Sequence, residues 1–250
     1  MTKPRIASRE EWRAARLSLL EKEKALTRAR DALNVERRAM PMVEVTKPYL
    51  FEGPTGPATL LDLFDGRHQL IVYHFMFHRD RGVGCSGCSH IVDNVPHLAH
   101  IHARDTTFVL VSRASLAELA PFRTRMGWTV PWYGSLGSDF NYDFHVTTDE
   151  TVAPVEYNYR DKRALVQLGQ TYHVAGEQPG ASIFLRDGER IFHTYSTYGR
   201  GLDLLLGSHN WLDLTPFGRG EGWDGMPDLD GRGKEWVRHH DRYGTAESRK

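Results

Sequence analysis

Along residues 8–40 the apolar positions recur every seven places: Trp12, Leu19, Leu26, Leu33 and Met40, with Ala15 and Ala29 between them. That spacing predicts one long helix over Ser8–Met40, a narrow apolar stripe on a heavily charged rod. Ser8 followed three places later by Glu11 has the form of a capping box, and Pro41 supplies the stop. Lys22 and Glu36 interrupt the alternate stripe positions. This favours an arm lying across its own domain, with a homodimer seam as the alternative.

After Pro41 the period changes. Val43, Val45, Tyr49 and Phe51 indicate a strand or hairpin, followed by a turn at Gly53–Pro57. Leu60–Phe64 makes a short helical turn closed by Asp65-Gly66. The run Leu70–Phe77 is apolar on both faces and reads as a central strand. A polar, glycine-bearing loop over His78–Gly84 leads to Cys85. Ile91, Val92, Val95, Leu98 and Ile101 then have helical spacing from Cys88 to about Ala103, with Pro96 predicting a kink. A strand over Thr106–Ser112 and a helix over Leu116–Met126 follow. Strands at Ala181–Arg186 and Arg190–Tyr195 flank Asp187-Gly188, a strong hairpin signal, and Leu202–Leu206 opens a final helix.

The order strand, helix, strand, helix, hairpin, helix predicts an α/β fold with a mixed central sheet and helices on both faces. The expected organisation is a helical arm at 8–40, an α/β domain at 41–217 with an insertion near 147–178, and a glycine-rich tail at 218–250. In that tail, Trp236, His239 and His240 indicate a short docking helix.

Composition narrows the function. Hydrophobic residues make up 40% of the 250-residue chain, enough for a core without disulfide staples. Lys+Arg and Asp+Glu both count 32, so charge gives no reason to expect nucleic acid or an anionic membrane as partner. No apolar run approaches the ~18 residues of a membrane span. Met1–Arg16 is polar throughout, unlike a signal peptide, which makes the cytoplasm the expected compartment.

The only two cysteines form the motif Cys85-Ser86-Gly87-Cys88. A disulfide closing so short a loop constrains the unfolded chain little, so the pair reads as redox-active or metal-binding rather than as a staple. At a helix N-terminus, unpaired amide N–H groups and the positive end of the helix dipole stabilise thiolate over thiol. They lower a cysteine pKa from ~8.5 toward the ~3.5–7.5 range. Cys85, at the helix start, is the expected nucleophile; Cys88, one turn on and covered, is the expected resolving thiol. Two inert thiols are the plain alternative. A copper or zinc site drawing on His74, His78 or His90 is another, although no HxxxH or second CxxC supplies a recognised spacing.

The chain resembles DUF899, a bacterial group of thioredoxin-like proteins labelled predicted dithiol-disulfide oxidoreductases. The resemblance runs from about Glu10 to Tyr243. It is carried by Glu11-Trp12, Leu20–Lys24, Leu61–Gly66, Tyr73–Phe77, Gly84 with the CxxC, Met126-Gly127-Trp128, Asp139–Phe144 and His193–Tyr198. It implies a thioredoxin-like fold with Cys85 and Cys88 as the redox pair and no bound organic cofactor. The implied partners are a disulfide-containing or peroxide substrate and a thiol reductant. Thioredoxins place a cis-proline at the start of the hairpin strand, facing the dithiol. Pro179 occupies that region here, although counting back from Asp187-Gly188 puts Gly180 or Ala181 nearest the expected place. The loop before Cys85 is longer than in thioredoxin and closer to a peroxiredoxin's, which leaves a thiol peroxidase as the alternative activity. The proline and threonine that precede a peroxidatic cysteine are missing from it.

Asp139–His145 sets three aromatics among Asp, Asn and His. The plain expectation is an edge strand or turn; the functional one makes Tyr142 and His145 a wall of the substrate cleft, with His193–Tyr198 lining the same cleft. His74, on a central strand, reads as a hydrogen-bonded core histidine.

Overall fold

The structure, a computed structural model, describes residues 3–219 and 236–243. The first helix, α1 (Arg9–Arg38), begins with the expected capping box: Glu11 N–H donates to Ser8 Oγ, and Ser8 N–H donates to the Glu11 carboxylate at 2.8 Å. Arg37 and Arg38 in its last turn complement the dipole. The apolar stripe does not lie across the domain. No residue of α1 is buried, and Trp12, Leu19 and Leu33 are each 51% exposed. One large apolar residue per seven is too sparse for the wide face that core-packed helices present.

Eight strands form the central sheet: β1 (Val43–Glu44), β2 (Leu50–Gly53), β3 (Gly56–Thr59), β4 (Gln69–His74), β5 (Thr106–Ser112), β6 (Trp132–Gly134), β7 (Gly180–Asp187) and β8 (Arg190–Tyr198). Their order is β1-β8-β7-β4-β5-β6-β2-β3. Strand β4 runs parallel to β5, with Tyr73 opposite Leu110, and antiparallel to β7, with Tyr73 opposite Ala181. Period-2 alternation sorts the side chains to two cores. Tyr73, Phe108 and Leu110 share one face with Cys88, Ile91, Leu119 and Phe122. Leu70, Val72, Val109 and Val111 share the other with Leu63, Phe64 and Phe140. Helices α2 (Ser86–Asp93), α3 (Ala99–His102) and α4 (Leu116–Arg125) follow β4 and β5 in turn. This strand order, with a mixed sheet covered on both faces, is thioredoxin-like.

Several elements differ from their sequence expectation. The single kinked helix over 88–103 is two helices, because Pro96 lacks an amide donor and its ring crowds the preceding turn. Asn94 uses the break: its amide donates to His90 O and accepts from Ser208 N–H, both at 2.7 Å. Residues 139–145, expected as an edge strand or turn, contain the short helix α5 (Phe140–Asp143), with the Phe140 and Phe144 rings tilted 45° to each other at 4.7 Å between centroids. Spacing of i, i+4 is the helical period. The central strand ends at His74, and Phe77–His78 instead pairs with Val83–Gly84.

The 147–178 segment carries two short ladders and α6 (Lys162–Gln167) around a small core of Val146, Val155, Tyr157, Leu165 and Tyr198. The final helix expected at Leu202–Leu206 is a 3₁₀ turn over Gly199–Leu205 leading into α7 (Gly207–Leu212). Most of the glycine-rich tail lies outside the described residues. Its described part, Trp236–Tyr243, ends in a 3₁₀ turn rather than an α-helix and docks by burying Val237.

Candidate active site

The approach to Cys85 is set by packing as much as by turn chemistry. Past β4 the chain reverses through Gly82, at φ +62°, and Val83–Gly84 pairs back on Phe77–His78. Cys85 N–H donates to Met76 O at 3.0 Å. Gly84 lies against two buried rings: a Cβ there would fall 2.5 Å from Phe75 and 2.7 Å from Phe122. Its carbonyl is bound by His239 Nε2 at 2.8 Å, which ties the C-terminal segment to the same spot.

Cys85 is the N-cap of α2, with extended backbone (φ −60°, ψ 136°) and its carbonyl accepting from Ser89 N–H at 2.9 Å. The amide N–H groups of the first turn therefore have no carbonyl of their own to reach. The two cysteines form no disulfide and lie 4.2 Å apart, Cys85 half-buried and Cys88 buried. The Cys85 sulfur sits over Gly87, where a Cβ would be 3.8 Å away. Burial holds the Cys88 pKa well above that of a free thiol, and the neighbouring Cys85 sulfur acts in the same direction. Met76 N–H reaches the Cys88 sulfur at 3.5 Å. The fully buried Tyr73 hydroxyl faces that sulfur without closing a hydrogen bond to it. Burial, reinforced by Cys88, keeps this hydroxyl protonated.

Both cysteines open into a cavity of about 660 Å³. Tyr73 forms part of its floor, and Tyr157, His173 and Pro179 form one wall. The Tyr157 hydroxyl donates to Pro179 O at 2.8 Å and accepts from Gly199 N–H at 3.0 Å. His173 Nδ1 pairs with Gln178 Oε1 at 2.6 Å. His90, whose Nε2 bonds Ser208 Oγ, is held neutral near the opposite side. Burial, then His209, lowers its pKa to about 4. Among the described residues, no three His, Cys, Asp or Glu side chains gather as a metal site. No described helix is long and apolar enough to cross a membrane.

The model of one protein family, described as a bacterial protein of unknown function (DUF899), matches residues 1–243. The chain belongs to DUF899. No curated protein matches this DUF899 chain. Among solved structures, a PrxQ mutant of Xylella fastidiosa is 16% identical with a TM-score of 0.42, covering 68% of this chain and 96% of that one. Peroxidoxin BcpB from Mycobacterium tuberculosis is 12% identical with a TM-score of 0.43, covering 68% and 95%. Xanthomonas campestris peroxiredoxin Q is 15% identical with a TM-score of 0.41, covering 64% and 87%. At these values the likeness says nothing of mechanism, which has to come from the residues of the DUF899 chain itself.

Of the residues singled out in the sequence, the fold brings together Cys85, Cys88 and Pro179. Pro179 immediately precedes β7 and lines the cavity, and its peptide bond is trans. Tyr142 and His145 do not line it. Because α5 is a helix that sends Phe140 and Phe144 into the far core, Tyr142 is left under the Arg113 guanidinium, 5.0 Å away. His145 lies 3.9 Å from Glu156. His74 is buried, as expected of a core histidine, with Nε2 on Ser182 Oγ at 2.8 Å. His193 and Ser196 continue that polar chain away from the sulfurs. Sequence reasoning missed Tyr73, Tyr157 and His173. Tyr73 had a usable signal, since alternation along β4 places it on the helix-covered face with Phe75. Tyr157 and His173 sit in a segment without periodicity and had none.

Proposed function

We propose that this DUF899 protein is a thiol-disulfide oxidoreductase in which Cys85 is the nucleophile and Cys88 the resolving thiol. The observation that carries this reading is the asymmetry of the pair. One cysteine is the N-cap residue of α2 and is partly open to a cavity; the other is buried one turn on, its pKa raised by that burial. In the first step the Cys85 thiolate attacks one sulfur of a disulfide RS–SR. A Cys85–SR bond forms, the substrate S–S bond breaks, and RS⁻ leaves. Cys88 then gives up its proton and attacks Cys85 Sγ, forming the Cys85–Cys88 bond and expelling the second RS⁻. The protons from the two cysteines end on two RSH, and an external thiol reductant restores the dithiol. Met76 N–H, already aimed at Cys88, and the Tyr73 hydroxyl beside it are positioned to support the thiolate of the second step.

Release of 2-mercaptoethanol from hydroxyethyl disulfide, by protein reduced beforehand and freed of reductant, tests the proposal. Cys85→Ser abolishes release, whereas Cys88→Ser stops after one equivalent with a mixed disulfide on Cys85. Wild-type rates in both variants would end it. Peroxide consumption without any reaction toward disulfides would replace it by a thiol peroxidase, with Cys85 oxidised to the sulfenic acid and condensed onto Cys88.

A further inference from the structure

We infer that the substrate is a low-molecular-mass disulfide carrying carboxylates, rather than a disulfide on the surface of a folded protein; this rests on the oxidoreductase reading above. A reductant of protein disulfides needs a sulfur that a broad surface can approach. Here Cys85 lines a concavity, with Tyr157, Arg160 and Gln178 of the 147–178 segment on one side and Arg200 and Val237 on others. Its volume, about 660 Å³, suits a small molecule. The roof is held in place. Asn158 and Tyr159 form a two-residue turn with φ of 50° and 61°, a conformation costly for a ring-bearing residue. The Tyr159 hydroxyl fastens it to Ser196 O at 3.0 Å.

The charges lining the cavity do not cancel. Asp203 and Asp213 share Arg219, whose Nη1 lies 2.8 Å from Asp203 Oδ1 and whose Nη2 lies 2.6 Å from Asp213 Oδ2, and Arg200 supplies the second positive charge beside Asp203. Glu177 accepts from Thr147 Oγ1 at 2.8 Å and lies 3.9 Å from the Arg113 guanidinium, which offsets its charge. Arg160, by contrast, is exposed and forms no ion pair among the described residues. An anionic group entering the cavity therefore meets the uncompensated charge of Arg160. Reaction follows the two-step exchange already given, R being a small residue with a carboxylate.

Stopped-flow oxidation of the reduced full-length protein tests this with four probes: glutathione disulfide (anionic), cystamine (cationic), hydroxyethyl disulfide (neutral) and insulin. Each small-probe rate is divided by its rate with dithiothreitol, to remove intrinsic reactivity. The expected result is a normalised rate about tenfold higher for glutathione disulfide than for cystamine at low salt. The gap closes as salt is added, insulin is not reduced, and Arg160→Glu reverses the ranking. Equal or faster reaction of cystamine, or reduction of insulin at the glutathione disulfide rate, overturns the inference. Conversion by hydroxyethyl disulfide to the Cys85–Cys88 bond without a charge ranking overturns this inference alone. Failure of every disulfide to form that bond overturns the oxidoreductase reading with it.

Discussion

Gly84→Ala should disturb the site without touching either sulfur. The new methyl group would sit 2.5 Å from Phe75 Cζ and 2.7 Å from both Phe75 Cε1 and Phe122 Cε1, about 1 Å inside normal carbon–carbon contact. Neither ring can yield easily. Both are 2% exposed, and Phe75 is packed at 4.7 Å on Trp132 and 5.8 Å on Trp128. The strain must pass to the backbone at 84–85, which holds Cys85 at the helix cap. Overpacking of this kind costs about 1–3 kcal/mol, which for a chain of this size lowers Tm by roughly 2–12 °C. Thermal melts, paired with the rate of Cys85 alkylation by iodoacetamide, read both consequences. Gly137→Ala is the control, since a Cβ there meets nothing within 4 Å. If Gly84→Ala melted within a degree of wild type and was alkylated at the wild-type rate, the packing account of how Cys85 is positioned would be wrong.

Acid should weaken the fold. His74 is wholly buried and its pKa is lowered to about 3, first by burial and then by His193, whereas an unfolded histidine titrates near 6.5. Between these values the unfolded chain binds the extra proton, so the contribution of His74 is complete above 6.5 and lost as pH falls toward 3. Each unit in that window costs up to about 1.4 kcal/mol; burial-lowered His90 adds to the same trend. Urea unfolding at pH 7, 6 and 5 should show midpoints falling with pH and a shallower fall in His74→Asn; flat midpoints would contradict the assignment. Tyr73→Phe should leave the first thiol equivalent unaffected and slow release of the second roughly tenfold, the worth of one hydrogen bond to a charged sulfur. Equal slowing of both steps would show that Tyr73 does not act on Cys88.

What could be read in advance follows from the range of the forces involved. The capping box of α1, the Asp187-Gly188 hairpin and the placement of Cys85 at a helix start are local: each depends on dihedral preference or on groups three or four residues apart. The central strand was legible because burial on both faces leaves an apolar run. The failures involve distant partners. Whether the α1 stripe is covered depends on a surface that no residue of α1 encodes. Pro96 signals a kink after Cys88, but the full break at that point is also held by Asn94, locally unremarkable, taking Ser208 as its partner. The cavity wall is built by Tyr157 reaching Pro179 and Gly199, contacts that leave no periodic trace. Tyr142, expected with His145 on a cleft wall, lies in α5 instead, where it stacks under Arg113, a partner distant in sequence.

The central claim, one reactive sulfur and one that waits behind it, can be read from a single titration with 5,5′-dithiobis(2-nitrobenzoate) followed by intact-mass analysis. The wild-type chain should release two equivalents of chromophore and retain none, ending as the Cys85–Cys88 disulfide. Cys88→Ser should release one and keep one on Cys85, and Cys85→Ser should react only slowly. Two retained adducts on the wild type, or faster labelling of Cys88 than of Cys85, would contradict the account.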